Sequence, residues 1–188
     1  MRVRRILTSL TLAAAAAASL GGSTARSSQG TLTFHATVTG KAGDAGSFHR
    51  TESGPTMRRL IGCGVLKHRS PKPYGQYNYI VRTGPLSFPG VKPTQPGVAL
   101  VVYRYKPGSG TSYTHLDVGG TFAINGHSYA GHPTTASKET VTVSADGHSG
   151  TWTEPDGLRN YPAKPMKPVP GFAFKATWHC STVYQFHD

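Results

Sequence analysis

Apolar and polar residues alternate with a period of two through most of the chain. In the stretch TLTFHATV, Leu32, Phe34, Ala36 and Val38 alternate with Thr33, His35 and Thr37. Near the other end, Phe172, Phe174, Ala176, Trp178 and Cys180 share one face, opposite Lys175, Thr177 and His179. This period marks strands with one buried face. Shorter runs read the same way: RLIGCGVLK, QYNYIVRT, SYTHLDV, TFAING, HSYAG, ETVTVSA and HSGTWT. VALVVYRY is nearly continuous and reads as a central strand. No segment keeps a helical period. About eight to ten short strands, punctuated by Gly, Pro and Asn-Gly, predict an all-β fold, a two-sheet antiparallel β-sandwich. A barrel is the alternative. Two Pro-rich basic stretches, RTGPLSFPGVKPTQPG and EPDGLRNYPAKPMKPVPG, read as crossover loops between strands.

Asn125-Gly126 and Asp146-Gly147 predict tight hairpins with type I′ turns, which need left-handed backbone at both central residues. Each is followed by His-Ser, giving Gly-His-Ser twice. Gly147-His148-Ser149-Gly150 falls one residue short of the Gly-x-Ser-x-Gly elbow of a hydrolase, with Thr151 where that motif wants Gly. An elbow also needs a helix after the turn. A strand follows here, so Ser128 and Ser149 are read as the first steps of returning strands. If the hairpins form a meander, His127 and His148 approach each other beside Asp146. Two imidazoles and a carboxylate would suit Zn or Cu. The plainer reading is polar residues at hairpin ends, with no cofactor. His115 and Asp117 in THLD are a similar, smaller signal.

The N-terminus changes the expected compartment. Arg2, Arg4 and Arg5 precede an apolar and small-residue run to Leu20, followed by Ser23-Thr24-Ala25. This is the pattern of a secretory signal peptide. Residues 1–25 are therefore expected to be the leader and 26–188 a single β-sandwich domain, secreted, with no transmembrane segment. The chain has two cysteines. In an oxidising compartment Cys63 and Cys180 are expected to form one disulfide.

The full chain carries 20 Lys and Arg against 8 Asp and Glu, with 9 His. Three of the arginines lie in the leader, so the mature segment stays near +9. Such a balance favours anionic partners. Lys-Pro occurs five times, at Lys72, Lys92, Lys106, Lys164 and Lys167. Proline pushes the preceding residue into extended backbone, so these lysines should stand on stiff loops. Arg58, Arg59 and Arg69 flank the Cys63 strand and extend the candidate ligand-binding set. Tyr77, Tyr79, Tyr103 and Tyr105 alternate on two strands, either stacking on sugar rings or packing inward. The eight acids are scattered and suggest no glycosidase pair. There is no phosphate loop, zinc CxxC or RNA-binding signature, so nucleic acid is not the expected partner.

The tail from Gly150 to Ser181 resembles the end of the secreted lipoprotein antigens of mycobacteria and their relatives. The parallels are Asp146-Gly147, Gly150-Thr151, Pro168-Val169, Phe174 and Cys180-Ser181, with Cys63 on an early strand. The resemblance implies a β-sandwich and carries over no enzymatic residue. The chain lacks that family's lipidated cysteine. The expected function is an exported, non-enzymatic binding protein for an anionic or glycan-like envelope ligand. Two alternatives stand beside it: a small metalloprotein or enzyme using the His-rich hairpin end, and a protein-binding inhibitor or structural surface protein.

Overall fold

A computed structural model describes residues 29–39, 44–83, 95–130, 138–155, 159–160 and 173–188. The expected leader lies outside them. The described strands are β1 (Thr31–Thr39), β2 (Asp44–Thr51), β3 (Ile61–Lys72), β4 (Gly75–Thr83), β5 (Gly97–Val102), β6 (Ser112–Thr114) and β7 (Val118–Ile124). They continue with β8 (His127–Ala130), β9 (Thr140–Val143), β10 (Ser149–Glu154), β11 (Arg159–Asn160), β12 (Ala173–Cys180) and β13 (Val183–His187). Two single-turn 3-10 helices, Met57–Arg59 and His115–Asp117, interrupt them.

The strands form the expected two-sheet sandwich. One sheet has six strands in the order β2-β1-β12-β10-β9-β6 and the other seven, β11-β8-β7-β5-β4-β3-β13. The strands number thirteen because several are only two to four residues long. Among the described strands pairing is antiparallel except between β13 and β3, which run parallel. Among the described residues no helix is long and apolar enough to cross a membrane.

The chain changes sheet repeatedly, and this departs from a simple meander. SYTHLDV is not one strand. The His115–Asp117 turn breaks it, leaving β6 in the six-stranded sheet and β7 in the other. Of the two Pro-rich stretches, the first joins β4 to β5, which pair antiparallel. It is therefore a long hairpin connection rather than a crossover. The second leaves β10, contributes β11 to the opposite sheet and returns as β12. Its other residues, with Lys164 and Lys167, lie outside the described set, as does Lys92.

The period-two pattern becomes the core directly. Leu32, Phe34, Ala36 and Val38 face inward from β1, and Phe174, Ala176, Trp178 and Cys180 from β12. Phe122 reaches across from β7, its ring 5.0 Å from Phe174, 5.7 Å from Trp152 and 5.9 Å from Phe34. Tyr79 and Tyr105 pack inside this cluster rather than on an outer face. The Tyr79 hydroxyl donates to the Gly147 carbonyl at 2.7 Å and accepts from the Trp178 indole at 2.9 Å. A phenol fully out of water needs such partners.

A smaller cluster covers part of the outer face of the seven-stranded sheet. Leu66 and Ile80 meet Leu60, with Met57, Val101, Tyr184 and Phe186 around them. The segment before β3 therefore acts as a cover on that side.

Cys63 of β3 and Cys180 of β12 are bonded, both fully buried, and link the two sheets across 117 residues of sequence. Val183 then pairs with Cys63 only three residues after Cys180. The chain thus leaves one sheet beside the disulfide and continues along β3 in the other. Replacing both cysteines by alanine should lower unfolding free energy by about 2–5 kcal/mol in urea titration. A loss under about 1 kcal/mol would mean that packing alone holds the sheets in register.

Candidate functional site

The two Gly-His-Ser turns have local explanations that do not involve a nucleophile. Asn125 (φ 48°) and Gly126 (φ 79°) are both left-handed, as a type I′ hairpin requires. At the second turn only Gly147 is left-handed, at φ 74°, so this is not the expected type I′ turn. Its geometry comes from Asp146, whose Oδ1 accepts from the Ser144 hydroxyl at 2.5 Å and from the His148 N–H at 3.0 Å. Such an Asx arrangement lets Asp stay in ordinary backbone. Gly150 is explained by its cross-strand neighbour Trp178. A Cβ there would lie 2.2 Å from the indole and 2.4 Å from the Thr142 carbonyl. Gly150→Ala should therefore cost about 1–3 kcal/mol in thermal or urea unfolding. A neutral result would contradict this packing.

The shared metal site expected of His127, His148 and Asp146 does not form. The chain crosses from the seven-stranded to the six-stranded sheet between β8 and β9, which puts one hairpin in each sheet. His127 Nδ1 lies 3.2 Å from Asp44, which pairs with Val38. His148 Nδ1 lies 2.8 Å from the carbonyl of Cys180, which pairs with Leu32. Leu32 and Val38 are six residues apart on β1, about 20 Å of extended strand. The imidazoles therefore stand at opposite ends of the sandwich. Among the described residues no group of three His, Cys, Asp or Glu is placed to hold a metal.

The basic residues stand on separate elements. Arg58 and Arg59 are exposed on the first 3-10 turn, Arg69 is exposed on β3, and Lys106 is exposed in the loop after β5. Lys72 closes β3. Asp117, the other acid singled out, accepts from Arg104 at 2.8 Å.

The arrangement with the most surface chemistry is the outer face of the six-stranded sheet. The buried residues of each strand fix which positions point out. From β2 and β1 these are Ala45, Ser47, His49 and Thr51, then Thr31, Thr33, His35, Thr37 and Thr39. From β12 and β10 they are Ala173, Lys175, Thr177 and His179, then Ser149, Thr151 and Thr153. Thr140 and Thr142 of β9 and Ser112 and Thr114 of β6 complete the face. The register stacks them in rows: Ser47, His35, Thr177, Thr151, Thr142 and Ser112 form one line across all six strands.

Eleven of these positions are Thr, three Ser, three His and one Lys, and none is acidic. Hydroxyl rows spaced by the strand separation and by alternate residues make a grid of roughly 4.8 by 6.7 Å. Threonine is stiff at χ1, so the grid is partly pre-ordered. A groove of about 520 Å³ opens on this face among His35, Thr37, Thr153, Lys175 and Thr177. Sequence alternation alone would have assigned these residues outward. What it could not give is the strand order that joins them.

The acids are where composition would not place them. Asp44, Glu52, Glu139 and Glu154 are buried, half of the eight in the chain. Glu52 Oε1 accepts from the Ser181 N–H at 2.6 Å, holding the turn after Cys180. Asp44 accepts from Asn125 (2.5 Å), Tyr129 (2.9 Å) and His127 (3.2 Å), tying β2 to the β7–β8 hairpin of the opposite sheet. Burial raises its pKa, but these donors and the His127 charge outweigh that and hold it below the ordinary value. Glu139 continues the β9 register opposite Glu154, and both are 1% exposed. Glu139 accepts from the Trp152 indole at 2.7 Å. Burial pushes its pKa up to about 7; the indole bond works against the shift and the Glu154 charge adds to it. The pair thus exists, contrary to the expectation of scattered acids, but faces the core.

No protein-family model, curated protein or solved structure matches the chain, so its own geometry carries the functional reading.

The two shifts act in opposite directions. The Asp44 contribution is present above its unfolded pKa, near 3.8, and is lost as pH falls through the lower folded value. The Glu139 contribution is present below about 4.5 and is lost as pH rises through about 7. The urea midpoint should fall from pH 5 to pH 8 by less in Glu139→Gln, which keeps an acceptor for the indole, than in the wild type. Equal slopes would show that Glu139 is ionised in the folded protein throughout.

Proposed function

We propose that the protein is an exported, non-enzymatic binding module. Its outer six-stranded face holds a hydroxyl-rich anionic polymer of the cell envelope. The observation that carries this reading is the composition of that face: hydroxyls and imidazoles in register, one ammonium, and no carboxylate. Hydroxyls donate and accept, so they match sugar hydroxyls in either sense. Threonine methyls between them supply apolar contact. Lys175 supplies positive charge, and His35, His49 and His179 add ring nitrogens that donate or accept.

The burial of four carboxylates supports the anionic part of the reading. The outer surface is more basic than the composition alone implies. Long-range attraction then adds to local contacts and is screened beyond roughly 8 Å at physiological salt. The leader-like N-terminus supports the location.

The test is retention on an anionic wall polysaccharide across salt and pH. Retention should fall as salt rises and strengthen as pH falls. Replacing Thr151 and Thr177 together by Glu puts two carboxylates at the centre of the face and should reduce retention at least tenfold. Both positions are half-exposed on the outer face, so the melting temperature should change little. Unchanged retention by this variant, at wild-type stability, would remove the six-stranded face from the function.

A further inference from the structure

We propose that a concavity beside β3 on the seven-stranded sheet is a carboxylate-binding site, with the protein's own Asp188 as its resident, displaceable ligand. The site lies away from the hydroxyl face and stands whether or not that face binds a polymer.

The site is built from the strand upward. The β3–β4 register is regular from Ile61 to Lys67 and shifts before Lys72. Such an irregularity takes backbone groups out of the ladder and re-aims side chains. Here the Arg69 N–H points away from β4 and donates to Asp188 Oδ1 at 2.9 Å. His68 Nδ1 lies 2.7 Å from Asp188 Oδ2. Two of the groups that hold this carboxylate, one on each oxygen, thus belong to adjacent residues.

His68 is a prepared anchor rather than a chance neighbour. It is 7% exposed. Its second nitrogen, Nε2, is 3.0 Å from the Asn78 side-chain oxygen. The Asn78 amide nitrogen donates to the carbonyls of Tyr74 (3.2 Å) and Tyr77 (3.0 Å), which fixes that oxygen toward His68. Both ring nitrogens therefore face acceptors, the arrangement that an imidazolium satisfies. Lys67, Arg69 and His187 line the surrounding concavity, which holds about 370 Å³.

Asp188 is partly open to solvent. Its side chain is 36% exposed, against 9% for that of His68. Its own N–H reaches the Lys67 carbonyl at a long 3.4 Å. It follows β13, an edge strand. A group tethered this directly competes at an effective concentration of at least the order of millimolar. A carboxylate on a larger ligand that also meets Lys67 and Arg69 would outcompete it. The occupant fitted is therefore the carboxylate of a sugar acid or acidic chain.

The experiment uses acetate as the probe on full-length Asp188→Ala, with inorganic phosphate as a second arm. Binding is read from the His68 ring resonances and from the melting temperature. Acetate should act saturably on Asp188→Ala, with a half-saturation concentration at least tenfold below that of the wild type. Asp188→Ala combined with His68→Gln should not respond. If alanine loosens β13, seen as lost amide protection at Tyr184 and Phe186, Asp188→Asn replaces it and should give the same acetate response. An equal, non-saturating response in wild type and variant would overturn the proposal. So would an unchanged response after loss of His68. Saturable binding of phosphate without acetate would overturn the carboxylate assignment.

Discussion

Cys63 and Cys180 meet in the fully buried layer between the sheets, and much of the architecture follows from that contact. It joins the third strand to the twelfth and fixes the point at which the chain last crosses from one sheet to the other. Tyr79, the Trp178 indole and the Gly147 carbonyl form a buried polar line close to it. Glu52 holds the turn that follows. From there β13 continues along β3, the one parallel pairing among the described strands. The same crossing brings Asp188 to His68.

The second organising constraint is the fate of the acids. Among the described residues four of the chain's eight side-chain carboxylates are buried. Burying a carboxylate is costly unless it is paired or kept neutral. Asp44 takes the first course and Glu139 the second. The interior polar groups tie the ends of the sandwich together. The outer face of the six-stranded sheet is left with hydroxyls, imidazoles and one ammonium. The seven-stranded sheet has part of its outer face covered by Met57, Leu60, Tyr184 and Phe186. The hydroxyl face has no such apolar cover among the described residues.

Local alternation was legible in the sequence because period two maps directly onto inward and outward faces. The β1 and β12 assignments follow from it, whereas the disulfide follows from the expected export and the chain's two cysteines. The strand order was not legible. Whether SYTHLDV runs straight or breaks at His115 depends on which sheet has room, and that is a tertiary matter. The expected approach of His127 to His148 fails because the chain changes sheet again between β8 and β9, so the two hairpins do not form one meander. Asp146-Gly147 was misread as a type I′ turn because Asp can instead use its side chain as a backbone substitute. The Glu139–Glu154 pair had a faint signal, since Glu154 stands two residues after Trp152 on the same face. It needed the hairpin register to bring Glu139 opposite. The hydroxyl face was hidden in six separate strands, and only their order assembles it.

The central claim is that this face is the binding surface. Its most direct measurement is a map of backbone amide shifts on titrating the protein with oligomers of an anionic wall polysaccharide. The account predicts that the largest changes fall on Thr33, His35, Thr151, Thr153, Lys175 and Thr177, across β1, β10 and β12. The outward positions Ala99, Thr121 and Ser128 of the other sheet should stay near their free values. Changes concentrated on the seven-stranded sheet, with the hydroxyl face unmoved, would contradict it.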